Sequence, residues 1–450
     1  MKLLRWTAMG AVIAGAAGLM IARATGYDMS NVTNVITGTA AFTNYKEEEP
    51  GKTRKITVAD LPTPFATPSS GNPPKTAPRP SNMWPKAPQG FKVEQFFTED
   101  QLEKLEGVDA NKMLPRELRT APNGDIFLAD SQAGKIIIFR GVSADGKPQQ
   151  ASVFADSGMR MPFGIAFYPL GNNPKWVYIG NTDSVVRFPY NSGDLKAGGP
   201  AETVVPSLPK GGGHWTRDLA FSPDSTKLFV AVGSASNIDN PDTHPTEFHR
   251  ANILQFTPEG KFVQVYASGI RNPVGIAINP ATGQLWCSVN ERDNLGNNLP
   301  PDYITSVQPG GFYGWPFYYI GDHPDPRLNG AHPELADKVI TPDVLLQPHN
   351  ASLEMMFYEG NMFPAAYKGD IFASEHGSWN KAIRAGYEVI RVPVVNGKAT
   401  GVYEDFITGF VTPDGDAWGR PVGIATMPDG SLLFSDDLSK TVWRVTYTGK

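Results

Sequence analysis

Cysteine is almost absent from this chain: 450 residues carry one, Cys287. A single thiol cannot cross-link the fold, and no Cys/His zinc spacing accompanies it. In the strand-like stretch Gln284-Leu-Trp-Cys-Ser-Val289 it reads as a small buried apolar residue. An excess of positive charge is missing too. With 40 Lys and Arg against 45 Asp and Glu the net charge is −5, so no basic face for nucleic acid is implied. There is no Gly-rich phosphate loop after a parallel strand and no G-x-S-x-G elbow, which removes support from nicotinamide binding and serine hydrolysis. Beyond the N-terminus no long apolar stretch has a 3.6-residue period, which disfavours an α/β architecture.

Turn chemistry is plentiful: 46 Gly and 40 Pro, beside an apolar fraction of 40 % that suffices for a large core. One phrase keeps returning, an alternating apolar strand meeting a Pro-centred turn. Clear copies are Thr120-Ala-Pro-Asn-Gly-Asp-Ile-Phe-Leu-Ala-Asp130, Gly164-Ile-Ala-Phe-Tyr-Pro169, Asp218-Leu-Ala-Phe-Ser-Pro-Asp224, Gly275-Ile-Ala-Ile-Asn-Pro280 and Gly423-Ile-Ala-Thr-Met-Pro-Asp-Gly430. A weaker copy begins at Pro364. With Pro122, Pro169, Pro223, Pro280, Pro364 and Pro428 as markers, the gaps are 47, 54, 57, 84 and 64 residues. Repeats of this size, each with several short strands, point to an all-β, six-bladed β-propeller. An open sandwich array is the alternative.

Met1-Lys-Leu-Leu-Arg5, the apolar run Trp6 to Ile21 and Ala22-Arg-Ala24 read as an export signal over residues 1–24. The other reading is an uncleaved membrane anchor, for which the run is short. Either places the protein in the periplasm or outside the cell, with a tether to the membrane in the second case. Residues 25–90 read as a polar, Pro-rich linker that tethers the propeller or wraps its outside, and 91–450 as the propeller itself.

Propeller function gathers where loops converge at one end of the channel, so polar residues beside inner strands are the candidates. Of seven His, His244, His249, His323 and His332 lie in loops without paired spacing and read as surface positions. His214 follows Gly211-Gly-Gly213 and precedes an inner strand. It reads as a general base or as a structural turn residue. Arg271-Asn-Pro-Val-Gly275 and Arg420-Pro-Val-Gly423 open two blades in the same way. Their guanidinium groups would grip a multiply carboxylated ligand, or bridge blades. The dense polar loop Asn290-Glu-Arg-Asp-Asn-Leu-Gly296 suits a hard cation such as Ca²⁺, without an EF-hand spacing.

On these residues the chain resembles the soluble pyrroloquinoline-quinone (PQQ) sugar dehydrogenases, more closely their sorbosone dehydrogenase branch. The likeness runs from about Leu114 to the C-terminus. It rests on Gly212-Gly-His-Trp-Thr-Arg217, Gly269-Ile-Arg-Asn-Pro-Val-Gly275, Val289-Asn-Glu-Arg-Asp293, Gly310-Gly-Phe-Tyr-Gly-Trp-Pro316, His376-Gly-Ser-Trp-Asn380 and Gly419-Arg-Pro-Val-Gly423. The resemblance implies His214 as catalytic base and Arg271, Asn272 and Arg420 as cofactor ligands. It implies Lys381 or Arg384 as a further cofactor contact, and Ca²⁺ held by carbonyls near Glu291 and Arg292. Two positions depart from the pattern. The family's Gln is Val274, and a second Arg is Val422.

The implied activity is PQQ-dependent oxidation of a sugar or aldehyde, with electrons passing to a cytochrome or quinone acceptor. A metal-dependent lactonase and a non-catalytic binding propeller are the rival readings. The aromatics Trp315, Phe317, Tyr318 and Tyr319 are expected to form a wall of the substrate site or to pack against blade five.

Overall fold

The computed structural model describes residues 34–449. The signal or anchor expected over residues 1–24 lies outside them. Six antiparallel sheets form a closed β-propeller. Blade one contains Pro115–Thr120, Ile126–Asp130, Lys135–Arg140 and Gln150–Ala155, running from the channel outward. Blades two to five repeat this order, starting from the inner strands Ile165–Tyr168, Leu219–Phe221, Pro273–Ile278 and Ser352–Phe357. Blade six starts at Pro421–Thr426, and its outermost strand is Phe91–Phe97, paired antiparallel with Thr441–Tyr447. That pairing joins the two ends of the propeller chain and closes the ring. Each marker proline follows the inner strand of its blade, in the turn before the second strand. There its fixed φ starts the hairpin and cannot interrupt a ladder.

The blades are buried on both faces. In Ile126–Asp130, Phe127 and Ala129 pack toward blade two, whereas Ile126 and Leu128 pack toward blade six. Period-2 alternation therefore separates two apolar faces. Each of the six blade interfaces holds its own apolar cluster. Cys287 is fully buried in the cluster between blades three and four.

Inner strands crowd the axis. Blades one, three and five place Glu117, Asp218 and Glu354 there, all fully buried, with carboxylate oxygens within 4.8 Å of one another. Blades two, four and six place Gly164, Gly275 and Gly423 at the equivalent positions. A Cβ on Gly275 would stand 2.6 Å from the Leu353 carbonyl, so glycine is what this approach admits. The cation at the acidic ring is Arg119, whose Nη2 lies 2.5, 3.1 and 3.5 Å from Glu117, Asp218 and Glu354.

Residues 34–90 run as a strap along blades four to six. Thr53–Arg54 adds a strand to the edge of blade five, and bridges tie Ile56 to Leu345, Thr76 to Ala417 and Lys86 to Thr408. The buried pair Arg54–Asp405, at 3.2 Å, anchors it. Among the described residues no helix is long and apolar enough to cross a membrane.

Candidate active site

The residues at and immediately ahead of the start of the inner strands gather at one end of the channel: Arg116, Phe163, His214 to Arg217, Arg271 and Asn272, His349 to Ala351, and Arg420. The expected pair His214 and Asn272 meets across Gly233. A Cβ there would stand 2.7 Å from the His214 Cβ and 3.0 Å from the Asn272 Cγ. Asn272 is 5 % exposed and its Oδ1 has no hydrogen-bond partner.

The state of the His214 ring follows from its acceptors. Nδ1 lies 2.8 Å from the Ser234 carbonyl and 3.1 Å from the Ser234 hydroxyl oxygen, and that hydroxyl donates onward to the Ser236 carbonyl at 2.6 Å. A carbonyl only accepts, so Nδ1 carries the hydrogen and Nε2 the lone pair. Burial, followed by the nearby Arg271 charge, pushes the imidazole down to about 3. It is neutral at physiological pH.

Arg271 is more committed than its position in the sequence implies. It donates to Asn237 O at 3.2 Å, Asn290 O at 3.3 Å, Glu291 O at 2.6 Å, Asn237 Oδ1 at 3.0 Å and Asp293 Oδ2 at 3.4 Å. It therefore organises the polar loop 290–293 around itself. Asn237, the hub of that loop, also receives the Trp315 indole N–H at 2.9 Å. The expected aromatic wall is core instead. Trp315, Phe317, Tyr318 and Tyr319 are each less than 10 % exposed, because the insertion folds onto the outer edge of blade three through Gly311–Phe312.

The side chains of Glu291 and Arg292 do not make a cation cage. Arg292 is 1 % exposed, brings its own charge and pairs with Asp325 at 2.8 Å. The Glu291 carboxylate receives the Arg292 main-chain N–H at 2.9 Å, and burial pushes it up to about 7.

Across the mouth, Arg420 donates Nε to the His376 carbonyl at 3.0 Å, and its terminal nitrogens make no hydrogen bond to the described residues. His376 Nε2 lies 3.0 Å from Asp437, which also pairs with Arg116 at 2.5 Å. The carboxylate fixes the opposite tautomer here, with hydrogen on Nε2. Burial and Arg420 push His376 down to about 4. Arg116 also lies over the Phe163 and Trp215 rings, at 5.8 and 5.4 Å, and so links this side to the His214 side.

Of the two basic candidates on blade five, Arg384 turns to the strap, donating to Pro73 O at 2.8 Å. Lys381, 5 % exposed, keeps an ammonium without a hydrogen-bond partner, and burial lowers it to about 8. Sequence reasoning passed over Arg116, Ser234, Arg250, His376 and Asp437 as site residues. Arg250 did carry a readable signal, since it precedes the strand Asn252–Phe256 much as Arg271 and Arg420 precede theirs.

A model of the family described as Glucose / Sorbosone dehydrogenase matches residues 112–378, more than half of the 450-residue chain. The chain belongs to the glucose / sorbosone dehydrogenase family. A TrAA12-like model matches residues 330–448. An uncharacterized protein of Borreliella burgdorferi is 28 % identical over 373 residues, covering 80 % of this chain and 90 % of that one. The pyrroloquinoline quinone-dependent pyranose dehydrogenase of Coprinopsis cinerea is 26 % identical over 296 residues, which is 51 % of this chain and 39 % of that protein. Among solved structures, the holo form of the pyranose dehydrogenase PQQ domain from Coprinopsis cinerea superposes with a TM-score of 0.64 at 22 % identity. It covers 82 % of this chain and 98 % of that one. This likeness speaks for the fold.

The two positions at which the sequence departs from the family resemblance meet in the fold. Val274 and Val422, both fully buried, pack in one axial cluster with Phe163 and Leu353, and Trp215 lies against it. The two valines make one buried apolar cluster. Only the closed ring brings blades four and six together there.

Proposed function

We propose that this chain oxidises a sugar or hydrated aldehyde at the channel mouth, with PQQ as cofactor and His214 as proton acceptor. The observation that carries the reading is the His214 imidazole, neutral and held as the Nδ1–H form by Ser234, which leaves the lone pair on Nε2, with the His214 Cβ and the Asn272 amide meeting at Gly233. Family membership and the PQQ dehydrogenases among its relatives supply the reaction class. The residues fit a planar, polyanionic quinone. Arg420 keeps terminal nitrogens to donate, Lys381 has an ammonium without a partner, and Asn272 an orphaned oxygen. The half-buried Trp215, packed against the buried cluster of Val274, Val422 and Phe163, offers a flat ring an apolar surface.

When bound, PQQ supplies the two-electron acceptor for the hydride equivalent leaving the substrate carbon. His214 Nε2 takes the hydroxyl proton in the same oxidation. Negative charge brought in beside Arg271 raises the imidazole from its low resting value and strengthens it as a base. Arg420 and Lys381 orient the acidic ligand, and Arg271 acts mainly by fixing the 290–293 loop. Calcium, expected at main-chain carbonyls near Glu291 and Arg292, enters no step here, and the Glu291 carbonyl already accepts from Arg271. The electrons leave to an external redox partner, and export through the N-terminal segment is the compartment we assign.

Reconstitution with PQQ, with calcium or with chelator, followed by dye reduction over a panel of sugars and aldehydes, tests the reading. Quinone absorbance and turnover are expected. Their absence, or lactone hydrolysis without added PQQ, overturns it.

A further inference from the structure

Two residues, one in a short turn and one just after it, hold the segment that orients His214. The 3₁₀ turn Pro245–Glu247 is followed at once by Phe248, His249 and Arg250. Glu247, 2 % exposed, accepts the Ala235 and Ser236 main-chain N–H groups at 2.8 Å each and the Ser236 hydroxyl at 2.6 Å. Arg250, 3 % exposed, does the converse. Its Nε donates to Gly233 O at 2.8 Å, its Nη1 to Gly211 O at 2.5 Å, and its Nη2 to His214 O at 2.8 Å and Ser234 O at 3.2 Å. The carboxylate takes the donors of segment 233–236, and the guanidinium takes its acceptors.

Folding alone does not call for this arrangement. A buried guanidinium spending its hydrogen bonds on neutral carbonyls recovers less of its hydration than one paired with a carboxylate. A second buried arginine, Arg217, crowds the same point, donating to His214 O at 3.1 Å and Thr216 O at 2.6 Å. What the two segments share is the His214 ring. The Ser234 carbonyl that accepts from Arg250 is the one that accepts from His214 Nδ1. One planar cation thus sets the glycine-rich turn before His214 against the strand end that chooses its tautomer.

We propose that Arg250 is the positioning residue of the proton acceptor: it clamps Gly211–His214 against Gly233–Ser234 so that Ser234 faces Nδ1 and Nε2 keeps its lone pair. The inference rests on His214 serving as proton acceptor. Glu247 acts with Arg250 by fixing the N–H side of the same segment. Neither residue touches the reacting atoms.

The test begins on the apo protein, labelled with ¹⁵N-histidine. In the wild type the His214 signals should be those of the Nδ1–H form with an unprotonated Nε2. Arg250→Lys keeps the charge but cannot offer a planar fork to four carbonyls. It should give a mixture of both His214 tautomers. In the PQQ-loaded enzyme it should lower kcat by roughly tenfold or more, as expected for a mispositioned base, with KM and cofactor affinity within about threefold. Arg250→Gln, which keeps a planar donor without charge, should recover part of the wild-type tautomer. An Nε2–H tautomer in the wild type overturns the inference whether or not a variant folds. So does a folded Arg250→Lys protein with unchanged tautomer and kcat. A tautomer shift on mutation in a protein that oxidises no sugar leaves the positioning role intact and defeats the proposed function instead.

Discussion

Arg271 and Arg420 each stand ahead of an inner strand in the same short phrase, and the sequence treats them as equivalent. Their surroundings separate them. Arg271 is held by five acceptors of the protein, whereas Arg420 donates one side-chain hydrogen bond and keeps its terminal nitrogens. Arg420→Ala should therefore leave thermal stability nearly unchanged and weaken PQQ binding by about 1.5–3 kcal/mol, the worth of hydrogen bonds to a charged group. Arg271→Ala should lower stability and cofactor binding together, because the buried Glu291 carbonyl loses its donor. Thermal melts paired with a cofactor titration separate the two outcomes. His214→Ala should reduce kcat by roughly 10²–10⁴-fold, with cofactor affinity little changed. Turnover near wild type with failed cofactor loading would make His214 a binding residue. The candidates His214, Arg271, Asn272 and Arg420 were legible because each sits at a fixed offset from a repeated strand. Ser234, His376 and Asp437 were not, since their roles are set by partners elsewhere along the chain.

The strap is the element whose composition misleads most. Its proline-rich, polar residues have little apolar surface to bury, and a linker is what such composition suggests. In the folded chain its main-chain and amide groups are spent on the loops that carry site candidates. Asn72 accepts no helix or sheet role. Its N–H meets Trp379 O at 2.7 Å, and its amide donates to Lys381 O at 3.2 Å and Ala382 O at 3.1 Å. Thr67 Oγ1 receives the Asn297 N–H at 2.8 Å, and Ser70 O receives the Asn380 amide at 3.0 Å. One short stretch therefore fastens loops from blades four and five. Asn72→Ala should speed amide exchange in residues 379–386 and weaken cofactor binding several-fold, while the blade strands keep their protection. Unchanged exchange in that loop would show that the strap only covers the surface.

At the scale of the molecule, closure of the ring buries acids that an open sheet would leave wet. Burial pushes Glu48 on the strap, Glu106 on the N-terminal helix Glu99–Glu106 and Asp218 on the axis each up to about 8. Such a carboxyl holds its proton more tightly folded than unfolded. Stability is present in full below the ordinary carboxyl range and is lost as pH rises toward 8. His214 and His376 work in the opposite sense, and only below about 6.5, where an unfolded imidazole gains its proton. Between pH 6.5 and 8 the carboxyls prevail, and the melting temperature should fall by ~2–4 °C for each ~1 kcal/mol withdrawn. A melting temperature that rises across that interval would show these acids to be ionised in the fold. The acidic axis also bears on the lactonase reading, because its three carboxylates already surround Arg119.

The sequence by itself determined the six blades, since strand alternation, Pro-centred turns and the Gly or acidic residue opening each inner strand are local and recur at readable spacing. Four of the six axial positions stood at the head of one phrase, as Gly164, Asp218, Gly275 and Gly423. Only the tertiary structure decided what those residues face. Ring closure by Phe91–Phe97, the apolar meeting of Val274 with Val422, and the tautomer of His214 all depend on groups brought together from different blades. A hydrogen-bond acceptor such as the Ser234 carbonyl has no signature in its own side chain. Its role exists once Arg250 and His214 arrive on either side of it.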